Sequence, residues 1–100
     1  MVSHLVVIWV TDPTEEKAEI VLNAANRLLK DIPGVHAFHA GLMYPTDRPV
    51  VDKTYQVALN MQFDSMDALA VYQSHPQHVD FVENFLKPNL SQLRVYDFEG

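Results

Sequence analysis

The stretch "YQSHPQHVDF", Tyr72 to Phe81, sets a tyrosine and two histidines around one proline. An imidazole that is neutral near pH 7 can take a proton from a substrate, and a phenol beside it can donate a hydrogen bond to the oxyanion that forms. Context separates the two imidazoles. His75 falls in the last turn of one helical segment, where the dipole favours the cation and no substrate is needed to explain it. His78 follows Pro76 by two residues, in the first turn of the next segment, where the positive end of the dipole favours the neutral ring. His78 is therefore the candidate base and Tyr72 the candidate donor. His4 is the third candidate, a polar residue inside the apolar run "VSHLVVIWV", where burial demands a hydrogen-bond partner. Pro76 ends one helix and opens the next, because proline is tolerated only in a helix's first turn. That break lets Tyr72 and His78 approach a common cavity, with His4 reaching it from the N-terminal strand.

Other chemistries find no support in the residues. His36 and His39 stand three apart in an extended segment, so regular alternation puts them on opposite faces and denies them a shared metal. The chain has no cysteine, which excludes a disulfide framework, a thiolate nucleophile and a cysteine-ligated zinc site. No Gly-rich phosphate loop or Ser-His-Asp order is present. Neither a metal nor a cofactor is expected.

The elements that must position these residues follow from periodicity. "VSHLVVIWV" predicts strand 1 over about residues 2–10, with Val2, Val6, Ile8 and Val10 on one face and Leu5, Val7 and Trp9 on the other. "TDPTEE" opens helix 1, with Thr11 or Asp12 as cap, Pro13 in the first turn, and Glu15 and Glu16 at the positive dipole end. Its apolar stripe is Ala18, Val21, Leu22, Ala25, Leu28, Leu29 and Ile32, and "IPG" stops it. "VHAFHAGLMY" reads as strand 2, weakened near Gly41, followed by the loop "PTDRPVVDK". "TYQVALNMQF" is a strand with Tyr55, Val57, Leu59, Met61 and Phe63 on one face. Asp64 or Ser65 caps helix 2, about 66–74. Helix 3 runs over about 77–87, "KPN" breaks it, and "SQLRVYDF" closes the chain as a strand. The order βαββαβ, with its second crossover broken at Pro76, predicts an α+β, ferredoxin-like split-βαβ protomer.

One hundred residues with 48% apolar content form one domain, 1–100, with a real core. A net charge of −6 and scattered cations argue against nucleic-acid binding. No apolar run is long enough to span a bilayer, and the N-terminus lacks the basic region of a leader, so a soluble, cytoplasmic protein is expected. The helices can cover only one sheet face, yet both faces of strand 1 are apolar. A second copy of the chain is the expected cover.

Together "HLVVIWV", "IPGVHAFHAG", "FDSMDALAVYQSHPQHVDFV" and "VYDF" resemble the stress-responsive dimeric α/β-barrel (Dabb) family over nearly the whole chain. The most specific piece is "YQSHPQH". The resemblance implies a ferredoxin-like protomer whose sheet packs on its twin's to form a barrel. Family members include plant stress-associated proteins, bacterial proteins of unassigned role and a polyketide cyclase that makes olivetolic acid. In that cyclase the positions matching His4, Tyr72 and His78 line the pocket, the last as base. The sequence departs from the cyclase at Ala25 and Val57, where the cyclase carries a tyrosine and a histidine, which implies a more apolar pocket shaped for another ligand. The resemblance also points to backbone carbonyls near Leu29, Ile32 and Val35, where some plant members place magnesium, although water satisfies such carbonyls more often.

The reading that follows is a homodimer binding a small apolar or aromatic ligand in a pocket lined by His4, Tyr72 and His78, with cyclase-like general-base chemistry at His78. The alternatives are a structural or stress-protective oligomer without catalysis, and a cofactor-free monooxygenase of the related dimeric α/β-barrel type.

Overall fold

The computed structural model describes residues 1–100. Strands β1 (Val2–Val10), β2 (His36–Leu42), β3 (Val57–Phe63) and β4 (Leu90–Glu99) alternate with helices α1 (Glu15–Leu28), α2 (Met66–Ser74) and α3 (Pro76–Phe81). The strands form one antiparallel sheet in the order β2-β3-β1-β4. This is the ferredoxin-like arrangement that the element order predicts.

The helices lie on one face, and the core sits between them and the central strands. Ile8 of β1, Val57, Met61 and Phe63 of β3 and Val21 and Ala25 of α1 have no exposed surface. The stripe on α1 is core as its spacing predicts, with two adjustments: Ala24 is also buried, and Leu22 is only half-buried. Thr14, rather than Thr11 or Asp12, caps α1, its Oγ1 accepting from the Lys17 N–H at 3.2 Å. Asp12 takes a left-handed φ of 42° in the preceding turn and Pro13 stays outside the helix. The cap falls where a side-chain oxygen can reach the third helical N–H, one residue beyond the proline. Ser65 caps α2 by the same geometry, its Oγ accepting from the Ala68 N–H at 3.1 Å.

Two departures from regular periodicity matter for the rest of the molecule. The predicted third helix is α-helical only to Phe81, widens into a π-helical turn over Val82–Leu86, and tightens to a 3₁₀ turn over Lys87–Asn89. Strand β2 carries a bulge between His36, opposite Gln62, and His39, opposite Asn60. The extra residue restores parity, so His36 and His39 share the face away from the helices. The expectation that they lie on opposite faces is overturned, because it assumed an unbroken period of two. Ala37, inside the bulge, adopts φ 50°, a left-handed conformation costly to any residue with a Cβ.

The second sheet face is bare in the protomer. Leu5, Val7 and Trp9 of β1 are half-buried there, while Tyr96 and Phe98 of β4 are 51% and 59% exposed. Trp9 is fixed on that face by its Nε1–H donating to Thr54 Oγ1 at 2.9 Å.

Candidate functional site

The helix-facing row of β1 runs Val2, His4, Val6, Ile8 and Val10, all buried. His4 is the one ionisable group in it. The register places Asp97 of β4 directly opposite, and its Oδ1 lies 2.5 Å from His4 Nδ1. This satisfies the buried ring and leaves Nε2 as the free nitrogen. Asp97 is the site residue that sequence reasoning missed. The "VYDF" strand was legible, but which of its residues faces His4 depends on a register between distant strands.

Across the helix layer, α2 ends at Ser74 and α3 begins at Pro76. The break turns the chain so that His78 packs edge-on to Tyr72, ring centroids 4.7 Å apart. Tyr72 in turn lies 6.2 Å from the His4 ring and 5.1 Å from Phe63. The structure thus brings together all three residues singled out in the sequence. They line a cavity of about 210 Å³. Its walls are Val6, Leu93 and Val95 on the sheet side and Phe81, Val82 and Leu86 on the helix side. Val82 and Leu86 come from the π-helical turn, a distortion that recurs at functional sites.

Three properties define what this cavity can do. Burial pushes the Tyr72 phenol well above its ordinary pKa, so it remains a donor at any physiological pH. Burial also lowers His78, with a contribution of the same sign from His4 and a partial opposing one from the Gln73 backbone carbonyl. His78 therefore favours the neutral ring, with desolvation rather than the helix dipole as the main cause. Finally, Tyr72 is 2% exposed, no protein group hydrogen-bonds its hydroxyl, and that oxygen is not sealed off from the cavity. No lysine or arginine lines the walls, so nothing there selects an anion. The lining is largely apolar, with His4, Gln73, His78 and the Tyr72 hydroxyl as its polar members.

The remaining histidines lie elsewhere. His75 is both the end of α2 and the cap of α3, its Nδ1 accepting from the Gln77 N–H at 3.1 Å. His75 thus sits at the helix end where its position put it, and its place there is explained without a substrate. His36 approaches Asp64 at 3.5 Å on the far sheet face. Ala25 and Val57 are core residues without exposure and do not touch the cavity. At the end of α1, the Leu29 and Ile32 carbonyls accept the N–H groups of Ile32 and Val35, and no group of three or more His, Cys, Asp or Glu side chains converges anywhere.

Comparison with known proteins gives a consistent picture. The model of a family described as stress-responsive A/B barrel domain matches residues 2–100. A Dabb-family protein with a ferredoxin-like fold from Mesorhizobium loti superposes with a TM-score of 0.82 at 26% identity, over 99% of this chain and 95% of that one. A dimeric ferredoxin-like protein of unknown function from Bacteroides fragilis gives 0.79 at 23% identity, over 99% and 95%. The hydroxynitrile lyase of Passiflora edulis gives 0.74 at 16% identity, over 97% and 90%, a likeness of fold alone. No curated protein matches the chain. No helix is long and apolar enough to cross a membrane.

Proposed function

The chain belongs to the stress-responsive A/B barrel (Dabb) domain family, and from that premise we propose that it is a homodimer whose protomers each bind a small apolar or aromatic ligand between β1, β4 and the α2–α3 break. The observation that carries this reading is Tyr72: a residue only 2% exposed, whose hydroxyl has no protein partner and opens to the cavity beside a neutral His78. A hydroxyl that opens to the cavity without a protein partner is free to hydrogen-bond a ligand oxygen there. The volume suits one ring with small substituents, below the 300–1,000 Å³ typical of drug-sized sites.

For a carbonyl ligand with an acidic α-hydrogen, the chemistry is general-base proton abstraction. His78 takes the proton, Tyr72 donates to the enolate oxygen, and His4, held through Nδ1 by Asp97, presents Nε2 to the same space. The test is α-hydrogen exchange of small aromatic ketones in D₂O, which needs no knowledge of the natural product. Exchange above background that falls roughly 10²-fold or more in His78→Gln supports the base. Equal exchange by both proteins would end the proton-transfer reading. Dimeric solved neighbours and the bare apolar sheet face support the homodimer.

A further inference from the structure

Two imidazoles face the cavity, and they are not equivalent. His4 reaches it from β1 in the sheet, and His78 from the first turn of α3 in the helix layer. Tyr72 meets both rings edge-on, its centroid 6.2 Å from His4 and 4.7 Å from His78. A flat ligand lying between sheet and helices beside Tyr72 therefore shows one face to each imidazole. Behind His4 stands a carboxylate, with Asp97 Oδ1 2.5 Å from Nδ1. The Asp97 side chain is 36% exposed and borders an outer hollow with Val2, Met66 and Glu99, so its charge is not stranded in the core. Behind His78 stands the Gln73 backbone carbonyl and no carboxylate. Two imidazolium rings beside one cavity repel each other, and the influence of His4 on His78 has that sign. A single proton shared by the pair is held better at His4, where the carboxylate is, and His78 keeps its lone pair.

We propose that the cavity inverts the α-carbon of a small, neutral, chiral aldehyde or ketone, His78 taking the α-proton from one face and His4, charged against Asp97, returning a proton to the other. The proposal deepens the general-base reading and rests on it. Atoms and electrons balance. The α C–H bond breaks toward His78, its electron pair becomes the enolate whose oxygen accepts from Tyr72, and the His4 Nε2 proton forms the new C–H bond. Nothing is oxidised or reduced, and after release the proton on His78 returns to His4 Nε2 across the emptied cavity. Inversion needs the acid and the base on opposite walls, whereas one base alone returns the proton to the face it came from. The largely apolar walls suit this substrate class, since a carboxylate substrate finds no lysine or arginine there. His4 is then a catalytic residue with a role distinct from that of His78. Asp97 is a positioning residue, which draws Nδ1–H toward itself and so aims Nε2 at the substrate.

The test is the stereochemistry of deuterium incorporation in D₂O. The probe is hydratropaldehyde, a single-ring aldehyde with one α-hydrogen, its enantiomers assayed separately by chiral chromatography with mass detection. At low conversion, and above the uncatalysed background, wild type is expected to place deuterium in the inverted enantiomer and leave the recovered starting enantiomer unlabelled. The base that removes the hydrogen is then not the acid that replaces it. Asp97→Asn keeps an oxygen for Nδ1–H but loses the charge. Inversion should fall roughly tenfold or more, with label shifting to the recovered starting enantiomer as His78 returns deuterium to its own face. A merely structural Asp97 would lower both products together and leave their ratio unmoved. His4→Gln is expected to shift the ratio the same way, and it replaces Asp97→Asn should that variant not fold. Label confined to the starting enantiomer in wild type, or a ratio unmoved in the variants, would overturn the inversion and leave the general-base reading standing. No label in either enantiomer would overturn both.

Discussion

Replacing Tyr72 by phenylalanine removes one oxygen and nothing else, and the structure dictates what that should cost. The ring stays packed against Phe63, His4 and His78, at centroid distances of 5.1, 6.2 and 4.7 Å, so the packing contribution is retained. The hydroxyl opens to the cavity and has no protein partner, so no hydrogen bond within the protein is lost. Deleting an accessible polar atom without a protein partner is close to neutral, and the expected change in unfolding free energy is within about 1 kcal/mol. Tyr72→Ala, by contrast, empties a fully buried ring site and should cost about 3–5 kcal/mol. Urea unfolding of both variants beside wild type, at one protein concentration because a dimer's stability depends on it, separates the two cases. A loss above about 1.5 kcal/mol for Tyr72→Phe would mean that the hydroxyl serves a protein partner. The ligand-facing reading would then fail.

Three further outcomes are expected. Leu28→Ala, at a buried position, should cost about 2–5 kcal/mol, while Leu22→Ala, half-buried, should cost less; equal losses in urea melts would mean that the α1 stripe is misassigned. His78 has its pKa lowered by burial, so its contribution to stability is complete above the unfolded value near 6.5 and is lost as pH falls through the folded value. Wild type should therefore lose more stability than His78→Gln between about pH 7.5 and 5, and parallel curves would contradict the buried neutral ring. Ala37→Gly should stabilise by a few tenths to about 1 kcal/mol by relieving the positive φ, and a destabilisation would show that the bulge is not strained.

Much of this architecture is legible in one sequence because it follows from local signals. Alternation in "VALNMQF", the helical stripe from Ala18 to Ile32 and the stop at Pro76 each depend on residues a few positions apart, and each yields its element. The convergence of Tyr72 and His78 was readable for the same reason, since only the proline break separates them. Asp97 was not, because its pairing with His4 spans nearly the whole chain and depends on register. The His36 and His39 face was misjudged because a bulge centred on Ala37 leaves no glycine to mark it. The place of His75 at the end of α2 was readable from Pro76, while its capping of α3 through Nδ1 depends on a side-chain orientation that position alone does not reveal.

The central claim is that the cavity bounded by His4, Tyr72 and His78 takes a small neutral ligand. The five histidines provide their own controls, because His4 and His78 line the cavity while His36, His39 and His75 do not. Imidazole ¹H–¹⁵N spectra recorded while titrating a panel of single-ring aromatic aldehydes and ketones test the claim most directly. Saturable shifts are expected at His4 and His78, with the other three unmoved and the response lost in Tyr72→Phe. Shifts spread evenly over all five rings, or none at His4 and His78 across the panel, would contradict it.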